Sequence, residues 1–156
     1  MLGVFASVLL ALGQPGPLVA PEARSPQPMP DFRLSGRSQS AWAYIDIANI
    51  YRTDDGRLLT RVFTISPLDE PTVTVGDGRF DCAGRQASFD SLIAYDRTFR
   101  SINPAGAGPV ARPFDPGSAG DQTVSFVCGS VEARRQAQYL GADWRTAARM
   151  LDPRFR

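Results

Sequence analysis

The chain has 156 residues, 43% apolar and 21% charged, which suits one globular domain with extra segments and excludes an intrinsically disordered polymer. Its net charge of +1 argues neither for nucleic acid nor for a membrane surface as a partner. All 17 basic residues are Arg. With no His and two Cys the commonest general base is missing, and no four-ligand nitrogen or sulfur metal site can be assembled.

Residues 1–13 form an uncharged apolar run of about a dozen residues, followed by Gln14-Pro15-Gly16-Pro17. The run is shorter than the roughly 20 residues of a spanning helix and has the length of a signal-peptide core. Export is therefore expected, with cleavage after Gly13 or as late as Ala23, and no stable membrane span after processing. A buried N-terminal helix is the other reading, because no Lys or Arg precedes the run. Residues 14–40 are rich in Pro and in small polar residues, which remove backbone donors and favour extended, solvated chain. They read as a linker.

Residues 41–51 are aromatic and β-branched, and they predict a strand. Asp55-Gly56 then supplies the positive φ of a tight hairpin, and Arg57–Ile65 alternates as a second, antiparallel strand. Thr72–Val75 and Arg79–Cys82 read as strand, interrupted at Gly76-Asp77-Gly78 by a hairpin turn or a bulge. Gln86–Tyr95 and Thr98–Ile102 read as two strands around a turn at Asp96-Arg97. The segment from Asn103 to Gly120 has four Pro and four Gly and reads as an irregular loop, with a last strand over Thr123–Cys128.

From Ser130 the period changes. Ala133, Ala137, Leu140, Trp144, Ala148 and Leu151 recur at helical spacing, Ser130 is a plausible N-cap, and Pro153 stops the run. A basic amphipathic helix is predicted over residues 130–152, with 153–156 as a tail and a weak point at Gly141. It is read either as a helix packed on the sheet or as a docking face.

Cys82 and Cys128 each end a strand-like run. They are a disulfide, or two unrelated thiols; they lie too far apart for a CxxC redox motif. If they pair, the chain-entropy model makes a loop of about 46 residues worth about 4 kcal/mol. An oxidising compartment favours the bond, so the reading turns on export.

The order of pieces is Ala43-Tyr44-Ile45-Asp46 with Ile50, Phe80-Asp81-Cys82 with Arg85, Ala94-Tyr95-Asp96, Pro116-Gly117-Ser118 and Phe126-Val127-Cys128. Over residues 42–129 this order resembles the surface-adhesin protein E family of Gram-negative bacteria. The resemblance implies an exported α+β domain, placed in the periplasm or at the cell surface. It implies a twisted antiparallel sheet of about six strands over 41–129, with a C-terminal helix packed on one face and tied by a Cys82–Cys128 disulfide. Family members bind host proteins such as plasminogen, vitronectin and laminin, and a homodimer is among the expectations.

Three functions follow. The first is a non-enzymatic envelope domain that binds a protein partner, with no cofactor, no metal and no catalytic residues. The second is a periplasmic structural or regulatory protein that docks through its basic helix. The third is a hydrolase built on paired carboxylates, for which Asp46, Asp81, Asp90 and Asp96 are the candidates.

Overall fold

The computed structural model describes residues 28–105 and 112–156. The expected signal peptide over 1–13 and most of the linker lie outside these residues. Along the chain, the described elements are β1 (Phe32–Arg37), β2 (Trp42–Asp46), a 3-10 turn (Ile47–Asn49), β3 (Tyr51–Arg52), β4 (Leu58–Ser66), β5 (Thr72–Asp81) and β6 (Gln86–Tyr95). There follow β7 (Ser101–Ala105), β8 (Arg112–Pro113), α1 (Ala119–Val127), α2 (Val131–Gln136), β9 (Tyr139–Gly141) and α3 (Trp144–Leu151).

The strands form one sheet in the order β7-β6-β5-β4-β2-β1-β9, with β3 paired to β4 and β8 to β6. Every pairing is antiparallel. The α+β expectation holds in the sheet, the C-terminal helix and the crosslink. The strand count is larger, at nine among the described residues rather than about six.

Alternation along the strands puts Tyr44, Phe63, Ile65 and Val73 on one face, packed with Leu140, Ala147, Ala148 and Phe155 under α3. The next residue along, Ile45 after Tyr44 and Val62 before Phe63, points the other way. There it joins Phe80, Ala87, Val124 and Val127 under α1. Helices therefore cover both faces of the middle of the sheet. This is why four consecutive residues of β2, Ala43 to Asp46, are all buried.

Three expectations need correction. The linker does not run to residue 40, since Phe32–Arg37 is a strand between β2 and β9. Gly36 makes this position possible: a Cβ there would lie 2.2 Å from the carbonyl oxygen of Ala119, so α1 rests on bare backbone. Second, Thr123–Cys128 is helix, not strand. Ser118 caps α1 by accepting from the Asp121 N–H at 3.2 Å, and Ala119, Thr123, Val124 and Val127 fall on one buried stripe. Burial of that stripe outweighs the β preference of Thr and Val.

Third, residues 130–152 are not one helix. Gly141 takes φ +107°, Leu140 is fully buried, and Tyr139–Gly141 pairs with β1 as the edge strand β9. Asp143 then caps a new helix, accepting from the Thr146 N–H at 2.8 Å and its hydroxyl at 2.9 Å. Of the predicted stripe, Leu140 and Ala148 are buried whereas Ala133 is exposed.

The other strand expectations fare better. The Asp55-Gly56 hairpin is present, with Gly56 at φ +81° and β4 paired to both β2 and β3. β5 runs straight through Gly76-Asp77-Gly78, and the bulge reading survives as a register shift there against β6.

Two side chains in this core yield predictions. Thr60 on β4 is 3% exposed and its hydroxyl has no hydrogen-bond partner among the described residues. Thr60→Val keeps the shape and removes an unsatisfied polar group, so it should raise stability by about 1 kcal/mol. Thermal melting checks this; a lower melting temperature would mean that the hydroxyl is satisfied by a buried water.

Tyr44 is fully buried and its hydroxyl donates to the Trp144 carbonyl oxygen at 3.0 Å. Burial, aided by the nearby Asp143 charge, pushes its phenol far above the usual tyrosine range. Above about pH 10 the unfolded chain releases this proton and the folded chain retains it. Stability should then fall by up to about 1.4 kcal/mol per pH unit. Tyr44→Phe should remove that part of the slope in urea titrations on either side of about pH 10; equal slopes in both proteins would refute the assignment.

Candidate functional site

The cysteines meet. Cys82, in the turn after β5, is bonded to Cys128 at the C-cap of α1, with the two Cα atoms 5.5 Å apart. The bond thus ties α1 to the sheet; the resemblance had implied that it would hold the C-terminal helix, which is α3 and is not crosslinked. Around it, Asp81 accepts from the N–H groups of Ala83 at 3.1 Å and Gly84 at 3.0 Å and closes the turn. Arg85, at φ +51°, reaches across to Asp121 at 2.7 Å and to the Ser125 hydroxyl at 3.0 Å on α1. The Gly117 N–H, and then Arg85, hold the Asp121 carboxyl below the usual range. These residues form a junction between sheet and helix.

The four candidate carboxylates do not converge on one site. Asp46 accepts from the N–H groups of Asp31 at 2.8 Å and Ala48 at 3.0 Å, and from the Asn49 amide. It lines a hollow of about 590 Å³ with Asp77, but Asp77 is held by Arg61 at 2.8 and 3.3 Å. Asp81 caps its turn, and Asp90 pairs with Arg79 at 3.3 Å. Asp96 accepts from the Thr98 hydroxyl at 2.7 Å and from the N–H groups of Thr98 and Arg100 at 2.8 and 3.0 Å. Those bonds, the Thr98 hydroxyl first, lower its pKa, opposite to the direction a general acid needs. Among the described residues no group of three or more Asp, Glu, Cys or His is placed to hold a metal.

A different constellation emerges at the α3 end. The Asp96–Arg100 turn between β6 and β7 puts Phe99 at φ +60°, with its ring 5.2 Å from Trp144 and 5.4 Å from Phe155. Arg145 lies 5.0 Å from the Trp144 ring centre, and Arg149 lies 5.0 Å from that of Phe99. The Arg156 N–H donates to the Arg97 carbonyl oxygen at 2.8 Å, which fastens the chain end beside the same turn. Arg154 is occupied by Asp152 and the Leu68 carbonyl.

Arg97, Arg100, Arg145, Arg149 and Arg156 are exposed. None forms an ion pair among the described residues. Guanidinium groups over aromatic rings are held in place by cation–π attraction and keep their donors free for carboxylates. Sequence periodicity had placed the basic residues on one long helix. It offered no signal that a turn about 45 residues upstream of Arg145 would add Arg97, Phe99 and Arg100 to the same surface.

In comparisons with known proteins, the chain matches no family model, no curated protein and no solved structure.

Proposed function

We propose that this protein is an exported, non-enzymatic envelope domain that binds a protein partner, in the manner of an adhesin, through the arginine and aromatic surface of α3 and the β6–β7 turn. The observation that carries the reading is that surface: five exposed Arg without ion pairs among the described residues, two of them seated over aromatic rings. Such a face suits an acidic patch on a partner better than it suits solvent alone. Export is supported by the Cys82–Cys128 bond, since structural disulfides persist in oxidising compartments. The likeness to surface-adhesin protein E points the same way, to the periplasm or cell surface of a Gram-negative bacterium. No helix among the described residues is long and apolar enough to cross a membrane. The carboxylates proposed for hydrolysis are each engaged by backbone amides or Arg, which favours binding over catalysis.

Two measurements test the proposal. A phosphatase reporter fused behind residue 27 should be active, because it matures only after export; a cytoplasmic, inactive reporter overturns the localisation. The full chain, immobilised, should capture an envelope protein, and Arg145→Glu with Arg149→Glu should abolish capture while leaving the melting temperature within a few degrees. Capture that survives the double charge reversal removes this surface from the function.

A further inference from the structure

The face of the sheet under α1 is covered unevenly. The helix rests on β1 and β2, and between its first turn and β5–β6 the structure holds a cleft of about 520 Å³. The volume falls within the range of about 300–1,000 Å³ typical of small-molecule sites. Protein interiors close-pack, so a cleft this size between packed elements needs something that keeps it open.

Two glycines do so. At Gly76 on β5 a Cβ would fall 2.4 Å from a Leu92 methyl and 3.1 Å from the Phe89 ring, so both side chains lie down against bare backbone. At Gly120 in the first turn of α1 a Cβ would fall 2.3 Å from the Phe114 ring, which likewise lies flat on the helix. A side chain at either position would push these groups into the open space. Instead they form its walls.

The chemistry of the lining selects a class of ligand. The walls are Leu92, Phe89 and Phe114, and Val62 and Phe80 add to the apolar surface. Thr64 and Thr74 face each other across β4 and β5 and put two half-buried threonines on the floor. The hydroxyls of Ser118 and Thr123 are already bonded within the protein, to the Asp121 N–H and to the Ala119 carbonyl. Asp115, exposed at the rim, is the one charged residue in the lining among the described residues. Among the described residues no Arg side chain lines the cleft. An anion would meet apolar walls and a carboxylate with no compensating cation among the described lining residues.

We propose that this cleft binds an uncharged small molecule with an apolar body and hydrogen-bonding groups at one edge, the body against Phe89, Leu92 and Phe114 and the polar edge on Thr64 and Thr74. The site is separate from the arginine surface and does not depend on the partner assigned above.

The test uses two fluorescent probes with the same aryl-amine frame, on the full, oxidised chain. N-phenyl-1-naphthylamine is uncharged; 8-anilinonaphthalene-1-sulfonate carries a sulfonate. The uncharged probe should bind saturably with one probe per chain, and the sulfonate should bind more weakly by about tenfold or more, the cost of facing Asp115 without a cation. Thr74→Phe fills the floor and should weaken the uncharged probe by about tenfold or more, with the circular dichroism spectrum unchanged. Should Thr74→Phe fail to fold, Ser40→Trp at the exposed rim should obstruct the same cleft. Non-saturable binding, equal affinity for both probes, or binding indifferent to a folded filling variant would each overturn the proposal.

Discussion

Replacing Cys82 and Cys128 together with Ala is expected to lower the stability of the domain by about 4 kcal/mol, because the bond closes a long loop in the unfolded chain. The two positions are separated by 46 residues. For a domain of this size that should lower the melting temperature by roughly 10–20 °C. The loss should be uneven. α1 is joined to the sheet by the disulfide, by the Arg85–Asp121 pair and by a small buried stripe. Its amides should therefore exchange faster in the variant than those of β4 and β5, which lie in the middle of the sheet. Hydrogen exchange with and without reductant measures this. An unchanged melting temperature after verified reduction would show that the crosslink contributes nothing to the fold.

The second large effect is expected at Phe63. Its ring stacks on Tyr44 at 5.0 Å, meets Phe32 edge-on at 5.5 Å and stacks on Trp144 at 5.6 Å. It therefore joins β1, β2, β4 and α3 in one cluster. Phe63→Ala removes a ring that is 5% exposed and leaves a void that three aromatic neighbours cannot readily fill. A loss of about 3–5 kcal/mol is expected in urea denaturation. The arginine surface should suffer with it, since the Trp144 ring that stacks on Phe63 also seats the Arg145 guanidinium. Partner capture and stability should thus decline together here, in contrast to the charge reversals on α3. A cost below about 1 kcal/mol would mean that the cluster repacks and is not the keystone of this face.

What the sequence by itself determined was local. The alternation in Arg57–Ile65 and the positive-φ requirement at Gly56 are met within a few residues, so the β4 hairpin was legible without any distant contact. The same is true of the Asp96 turn, whose geometry its own side chain closes. The two cysteines could be named as partners, and the bond between them is present.

Tertiary structure decided the rest. Phe32–Arg37 resembles polar linker until Gly36 is seen beneath α1, and Val124 and Val127 favour strand until they are buried as one helical stripe. The stripe that read as one helix from Ser130 is divided because Leu140 is buried to greater effect in an edge strand beside β1, with Gly141 making the bend. The arginine surface follows from the same cause. Its members come from a turn, a helix and the chain end, and only the packing of Phe99, Trp144 and Phe155 brings them together. Spacing along a chain records the period of one element, whereas a surface assembled from three elements is specified by the side chains buried beneath it.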